Sequence, residues 1–161
     1  MIVVSDTSSL IALAAVKRLD LLQQLFGSVV IPPAVHAELS MSSFNVSSAI
    51  ESSAWIEVKQ PDDEKLLQNL LSLLDKGESE AIVLAKELHA DFLVIDERRG
   101  RQEAKRHQIP IIGLLGVIAK ARRAGLIEQV KPLVDRIIHD VGFRVSPRLY
   151  SLFLEEVGET P

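Results

Sequence analysis

Two acids stand where short apolar runs stop. Asp6 follows "IVVS" (2–5) and precedes Thr7, Ser8 and Ser9, and Asp96 follows "FLVI" (92–95). An acid so placed can cap the next helix, accepting a hydrogen bond from an unpaired amide. It can also stand at a strand's carboxyl end, where open α/β sheets bind ligands at the point of strand-order reversal. If the first and fourth strands lie side by side, Asp6 and Asp96 converge there. Helical segments offer further acids. Glu38 in "PPAVHAEL" lies three residues after Val35 and borders that helix's apolar face. "DKGESEAIVLAKEL" offers Glu78 and Glu80, which flank the stripe Ala81, Leu84, Ala85 and Leu88 on opposite sides. Spacing does not choose between them. Carboxylates gathered together repel one another unless a cation intervenes, so the set implies a metal. Oxygen ligands in a chain without cysteine point to Mg2+ or Mn2+ and away from structural zinc.

The elements that must position these acids can be read from the apolar pattern. "IVVS", "VVIP" (29–32), "WIEV" (55–58), "FLVI" and "IPII" (109–112) are short and rich in Val and Ile. Such runs suit strands buried on both faces of a parallel sheet. Between them the pattern predicts two helices within 8–25, broken near Arg18–Asp20, and a short one over 33–40 opened by Pro32-Pro33. Helices are also predicted over 63–75, 78–89, 98–107, 113–125, 129–139 and 147–156, with Gly77 as the terminator between the first two. Strands alternating with helices give an α/β domain. The Ser-rich stretch 40–53 reads as a mobile connection, with a polar connection that carries a short helix as the alternative. In the C-terminal part the stripes Leu133, Ile137, Ile138 and Leu149, Leu152, Phe153 read as core, with a dimer or partner surface as the alternative.

Composition bounds the rest. At 161 residues, 47% hydrophobic with mean hydropathy +0.21, the chain reads as one globular domain over 1–161. No apolar run approaches the roughly 18 residues of a membrane span. The N-terminus runs straight into a strand pattern without a signal-peptide n-region. With no Cys, a reducing cytoplasm is the expected home. A net charge of −4 argues against a protein that coats nucleic acid. Yet the stretch 98–123 carries eight basic residues against one acid, Glu103, which reads as a phosphate-tracking patch. The four histidines are too scattered for a histidine site. There is neither a GxxxxGK[ST] loop nor a GxGxxG fingerprint, and Ser8 stands where a dehalogenase-like phosphotransferase would carry its second Asp.

Taken in order, "VVSDTSSLIAL", "IPPAVHAEL", "GESEAIVLAKEL" and "LVIDERRGR" resemble the PIN domains, the nuclease family that includes the VapC-like toxins. The resemblance implies a three-layer α/β/α fold around about five mostly parallel strands. It places the family's acidic quartet, catalytic and metal-binding together, on Asp6, Glu38, Glu78 and Asp96, with Glu80 and Glu97 as rivals for the last two positions. The implied activity is endoribonuclease hydrolysis dependent on Mg2+ or Mn2+, in which metal ions activate water and stabilise the leaving oxygen. Thr7, Ser8, Arg98, Arg99 and Arg101 would bind the RNA substrate. With one Trp, one Tyr and five Phe, few residues can stack on bases. A toxin would be a homodimer and would meet a small antitoxin protein that offers an Arg to the carboxylates. The alternative is a PIN fold that serves as a binding or assembly module.

Overall fold

The computed structural model describes all residues 1–161. Five parallel strands form its centre: β1 (Val3–Ser5), β2 (Val29–Ile31), β3 (Ile56–Val58), β4 (Phe92–Val94) and β5 (Ile111–Ile112), in the order β3-β2-β1-β4-β5. All five lie within the predicted runs. The connections leave β1 in one direction to β2 and β3, and in the other to β4 and β5. The strand order therefore reverses between β1 and β4, which pair with Ser5 opposite Val94.

The helices are α1 (Thr7–Ala15), α2 (Asp20–Phe26), α3 (Pro33–Ser40), α4 (Phe44–Glu51), α5 (Glu64–Leu71), α6 (Lys76–Glu87), α7 (Arg98–Arg106), α8 (Leu114–Arg123), α9 (Lys131–Arg136) and α10 (Pro147–Glu156). A π-helical turn, Ile137–Val141, extends α9. No helix is long and apolar enough to cross a membrane.

Side-chain alternation along the strands splits the core in two. Val3, Val29, Ile31 and Val94 face a large cluster with α1, α2, α8 and the C-terminal helices. Val4, Val30, Leu93 and Ile95 face a smaller one closed by α5, α6 and α7. This is the three-layer α/β/α arrangement.

Three expectations fail. The Ser-rich stretch takes its alternative form, a polar connection with a short helix, because α4 runs through it. Ser43 caps that helix by accepting from the Val46 amide, and Val46 and Ile50 are buried. Five of its other serines bond back to local carbonyls, as Ser52 does to Ser48 and Ser53 to Ala49. Gly77 does not end a helix. It lies in the first turn of α6, and α5 has already stopped at Leu71. Of the C-terminal stripes, Leu133, Ile137 and Phe153 are core, but Leu149 and Leu152 are about half exposed.

Candidate active site

Asp6 directly follows β1, and its amide donates to the Val94 carbonyl at 2.9 Å. Asp96 comes two residues after β4. Pairing of the two strands therefore brings both acids to one sheet edge, at the switch point. Asp6 stands at the N-cap position of α1 but makes no side-chain cap bond. Its tie to the start of α1 is thus confined to the Thr7 amide. The side chain, 7% exposed, turns instead toward a cleft of about 950 Å³ that opens beyond the strand ends.

Glu38, Asp75, Glu78, Asp96 and Glu97 line the same cleft. Thr7 donates its hydroxyl to Glu38 Oε2 and thereby fixes that carboxylate. Ser9 donates to Asp96 Oδ2 at 2.7 Å, and the Leu114 amide, first in α8, donates to both Asp96 oxygens at 3.0 and 3.2 Å. Asp75 caps α6 by accepting from the Glu78 amide at 2.8 Å. Arg101, half-buried, donates to the Ile95 carbonyl at 2.9 Å and lines the cleft beside Asp96.

The electrostatics follow from this crowding. Burial, the largest cause, pushes the Asp6 carboxyl up to about 7; the Thr7 amide pulls it back in part, and Asp75, Glu38 and Asp96 add repulsion. Glu78 also rises to about 7, first through burial, then through Asp75, Asp6 and Glu97. No three acids lie close enough to hold a metal ion by themselves. The chemistry of the set nevertheless fits a divalent cation held partly through water. Only oxygen donors are present, their charges are mutually repulsive, and Mg2+ keeps several waters when bound.

A family model described as a PIN domain matches residues 2–159. The chain belongs to the PIN-domain family. Its fold is accordingly of nuclease type. A PilT N-terminus domain protein of the hyperthermophilic archaeon Sulfolobus solfataricus is similar in structure, with a TM-score of 0.52 at 21% identity. The match covers 75% of this chain and 93% of that one, and at this identity it speaks for the fold alone. No curated protein matches the chain.

Within this PIN domain the acids expected from sequence separate clearly. Asp6, Glu38, Glu78 and Asp96 share the cleft, whereas Glu80 points elsewhere and accepts from the Ala34 amide at 3.2 Å, tying α6 to the start of α3. Glu97 is exposed at the cleft's rim, at the N-cap position of α7 without a side-chain cap bond. Thr7 and Ser8 line the cleft. Arg99 lines a shallow neighbouring depression with Asp75, Glu78 and Glu97, and Arg98 lines neither.

The basic run does not form one patch. Lys120 sits over the Phe92 ring at the first residue of β4, the sheet end away from the cleft, and Arg106 pairs with Glu103. Residues not anticipated are Asp75 and the wall Phe143–Arg144–Val145 with Leu149. For Asp75 a signal existed: Asp-x-x-Glu ahead of an apolar run is the pattern of a capped helix start. The wall carries no motif of its own.

Proposed function

We propose that this PIN domain is a metal-dependent endoribonuclease that hydrolyses RNA phosphodiester bonds with Mg2+ or Mn2+. The observation that carries the reading is Asp6: a buried carboxylate that makes no side-chain cap bond faces Glu38, Asp75 and Asp96 at the sheet's switch point. Holding so many acids together costs stability, and a cation-dependent reaction on a polyanion gives that cost a purpose.

Asp6, Glu38, Glu78 and Asp96 would hold the ion, and Asp75 and Glu97 add negative charge to the same cleft. A bound divalent cation would supply a water of lowered pKa and charge stabilisation for a phosphoryl oxygen. The protein's own part is orientation. Thr7 aims Glu38, and Ser9 with the Leu114 amide aims Asp96. The Asp75 cap fixes the first turn of α6 and with it Glu78. Arg101 is anchored on the Ile95 carbonyl through one nitrogen, and the rest of its guanidinium is left for a substrate phosphate.

The test is incubation of the purified protein with mixed RNAs, with and without Mn2+ or Mg2+, beside Asp6→Asn. Metal-dependent cleavage lost in the variant supports the enzyme. No cleavage, together with no metal-induced rise in melting temperature, leaves the binding module. The toxin role, the antitoxin partner, the homodimer and the cytoplasmic location belong to the same proposal and rest on the sequence motifs and composition. A small reading frame beside the gene, whose product copurifies with this chain and blocks cleavage, is the result that supports the toxin.

A further inference from the structure

Gly113 opens α8 with a φ of −93°, which any residue adopts, so conformation does not call for glycine there. Space does. A β-carbon on it would stand 2.7 Å from Asp96 Oδ1 and 3.0 Å from Arg101 Nη1. The missing side chain lets a carboxylate and a guanidinium flank one point of the cleft, just beyond the ends of β4 and β5. Both groups are fixed by the chain. Ser9 and the Leu114 amide hold Asp96, and the Ile95 carbonyl accepts from Arg101 Nη1 at 2.9 Å.

Arg101 is otherwise uncommitted. The chain's three ion pairs join Arg18 to Asp20, Arg106 to Glu103 and Lys131 to Asp135, so none includes it. Its Nε and Nη2 make no hydrogen bond, and both stay open to solvent, because the one buried side-chain nitrogen without a partner is Arg122 Nε. Six carboxylates line the same cleft, yet Arg101 pairs with none of them, so its charge is free for a ligand. The acids crowd one another instead: Asp6 is faced by Asp75, Glu38 and Asp96, and Glu78 by Asp75, Asp6 and Glu97. Of the cleft's two cations, Arg144 is exposed on the segment after Gly142, and Arg101 alone is anchored.

We propose that Arg101 is a catalytic residue, whose free edge grips a non-bridging oxygen of the scissile phosphate and carries part of the charge there. Arg101 thus stands in for a second metal ion, and the cleft works with one divalent cation, held by the acids. The inference rests on the nuclease reading and deepens it. Hydrolysis joins the water's oxygen to phosphorus as the P–O3′ bond breaks; one water proton ends on the 3′-oxygen, and Arg101 stays protonated throughout. A cation already fixed beside the phosphoryl oxygens stabilises the transition state without reorganising during the step. A second divalent ion beside Asp96 would stand against this anchored guanidinium, and their repulsion disfavours it.

The experiment counts Mn2+ bound per chain by electron paramagnetic resonance of the free ion, with and without RNA, and follows cleavage of an oligoribonucleotide in Mn2+. Wild type should bind a single Mn2+ per chain. Arg101→Met, which keeps the apolar stem, should bind the same amount but lose at least about a hundredfold in kcat, with KM changed far less. Arg101→Ala should regain part of that loss when guanidinium chloride is added at millimolar strength, which a merely structural arginine would not show. Two Mn2+ per wild-type chain, or an Arg101→Met that cuts like wild type, overturns the inference and leaves the nuclease standing. Failure of rescue together with a fallen melting temperature marks a structural arginine and overturns it too. A wild type that cuts no RNA in Mg2+ or Mn2+ takes down both readings.

Discussion

Glu38 Oε1 lies 2.5 Å from where a β-carbon on Gly77 would stand. The contact explains a glycine inside the first turn of α6, where it costs roughly 0.5–1 kcal/mol against alanine. The missing side chain leaves room for the Glu38 carboxylate, which Thr7 holds from the other side.

Gly77→Ala should therefore separate stability from function. The atom in the way is the far end of a flexible side chain, so the helix gains and the carboxylate swings aside. Melting temperature should hold or rise, while Mn2+-dependent cleavage falls at least about tenfold, in keeping with the sensitivity of positioned catalytic groups to small displacements. A variant as active as wild type would show that Glu38 need not occupy that position.

Stability should fall with rising pH when metal is absent. Asp6 and Glu78 carry folded values of about 7 against ordinary values of 3.8 and 4.5. A carboxyl whose value is raised by folding binds its proton more tightly in the native state. Its contribution is complete below about pH 4 and is lost as pH climbs to 7. At about 1.4 kcal/mol per unit, the two coupled groups account for a few kcal/mol, or a drop in Tm on the order of 5–10 °C between pH 5 and pH 8. Mn2+ at pH 8 should restore the loss, and Asp6→Asn should raise the metal-free Tm there. A flat metal-free profile in calorimetry would contradict the assignment.

How much of this was legible in the residues follows from range. The strand-end acids were readable because a buried parallel strand must be a short apolar run, and ligands gather where such runs end. Gly77 was misread because a glycine between helical segments usually stops one; its reason lies 39 residues upstream in Glu38. The serines of 40–53 looked like loop formers, yet two buried side chains and a Ser43 cap were enough to make α4. The basic run 98–123 was contiguous only along the chain, since α7 and α8, which carry its two ends, pack on opposite faces of the sheet. Arg144 and Phe143 were out of reach because a π-turn and one left-handed glycine decide where they point.

Glu78 and Glu80 should respond in opposite ways to the same substitution. Both are nearly buried, but only Glu78 lines the cleft, while Glu80 accepts from the Ala34 amide. Glu80→Gln keeps an acceptor oxygen and should stay active and stable within about 1 kcal/mol, whereas Glu80→Ala strands a backbone donor and should cost roughly 1–3 kcal/mol with cleavage still metal-dependent. Glu78→Gln should abolish cleavage and the metal-induced rise in Tm. Loss of that rise in Glu80→Gln instead would reverse the assignment.

The choice between Asp96 and Glu97 can be settled by what holds each. Asp96 receives Ser9 and the first amide of α8, at a helix start where Gly113 has no side chain with which to cap. A β-carbon on Gly113 would stand 2.7 Å from Asp96 Oδ1, so that carboxylate is closely confined. Glu97 is exposed and has no comparable anchor. Ser9→Ala should therefore lower stability by about 1 kcal/mol and reduce kcat severalfold with little change in KM, because a loosened carboxylate still binds but no longer points. Asp96→Asn should remove cleavage altogether, and Glu97→Gln should weaken metal binding only modestly in a titration of Tm against Mn2+. If Glu97→Gln proves the more damaging of the two, the ion sits nearer the cleft's rim, and Asp96 serves chiefly to fasten α8 to the sheet.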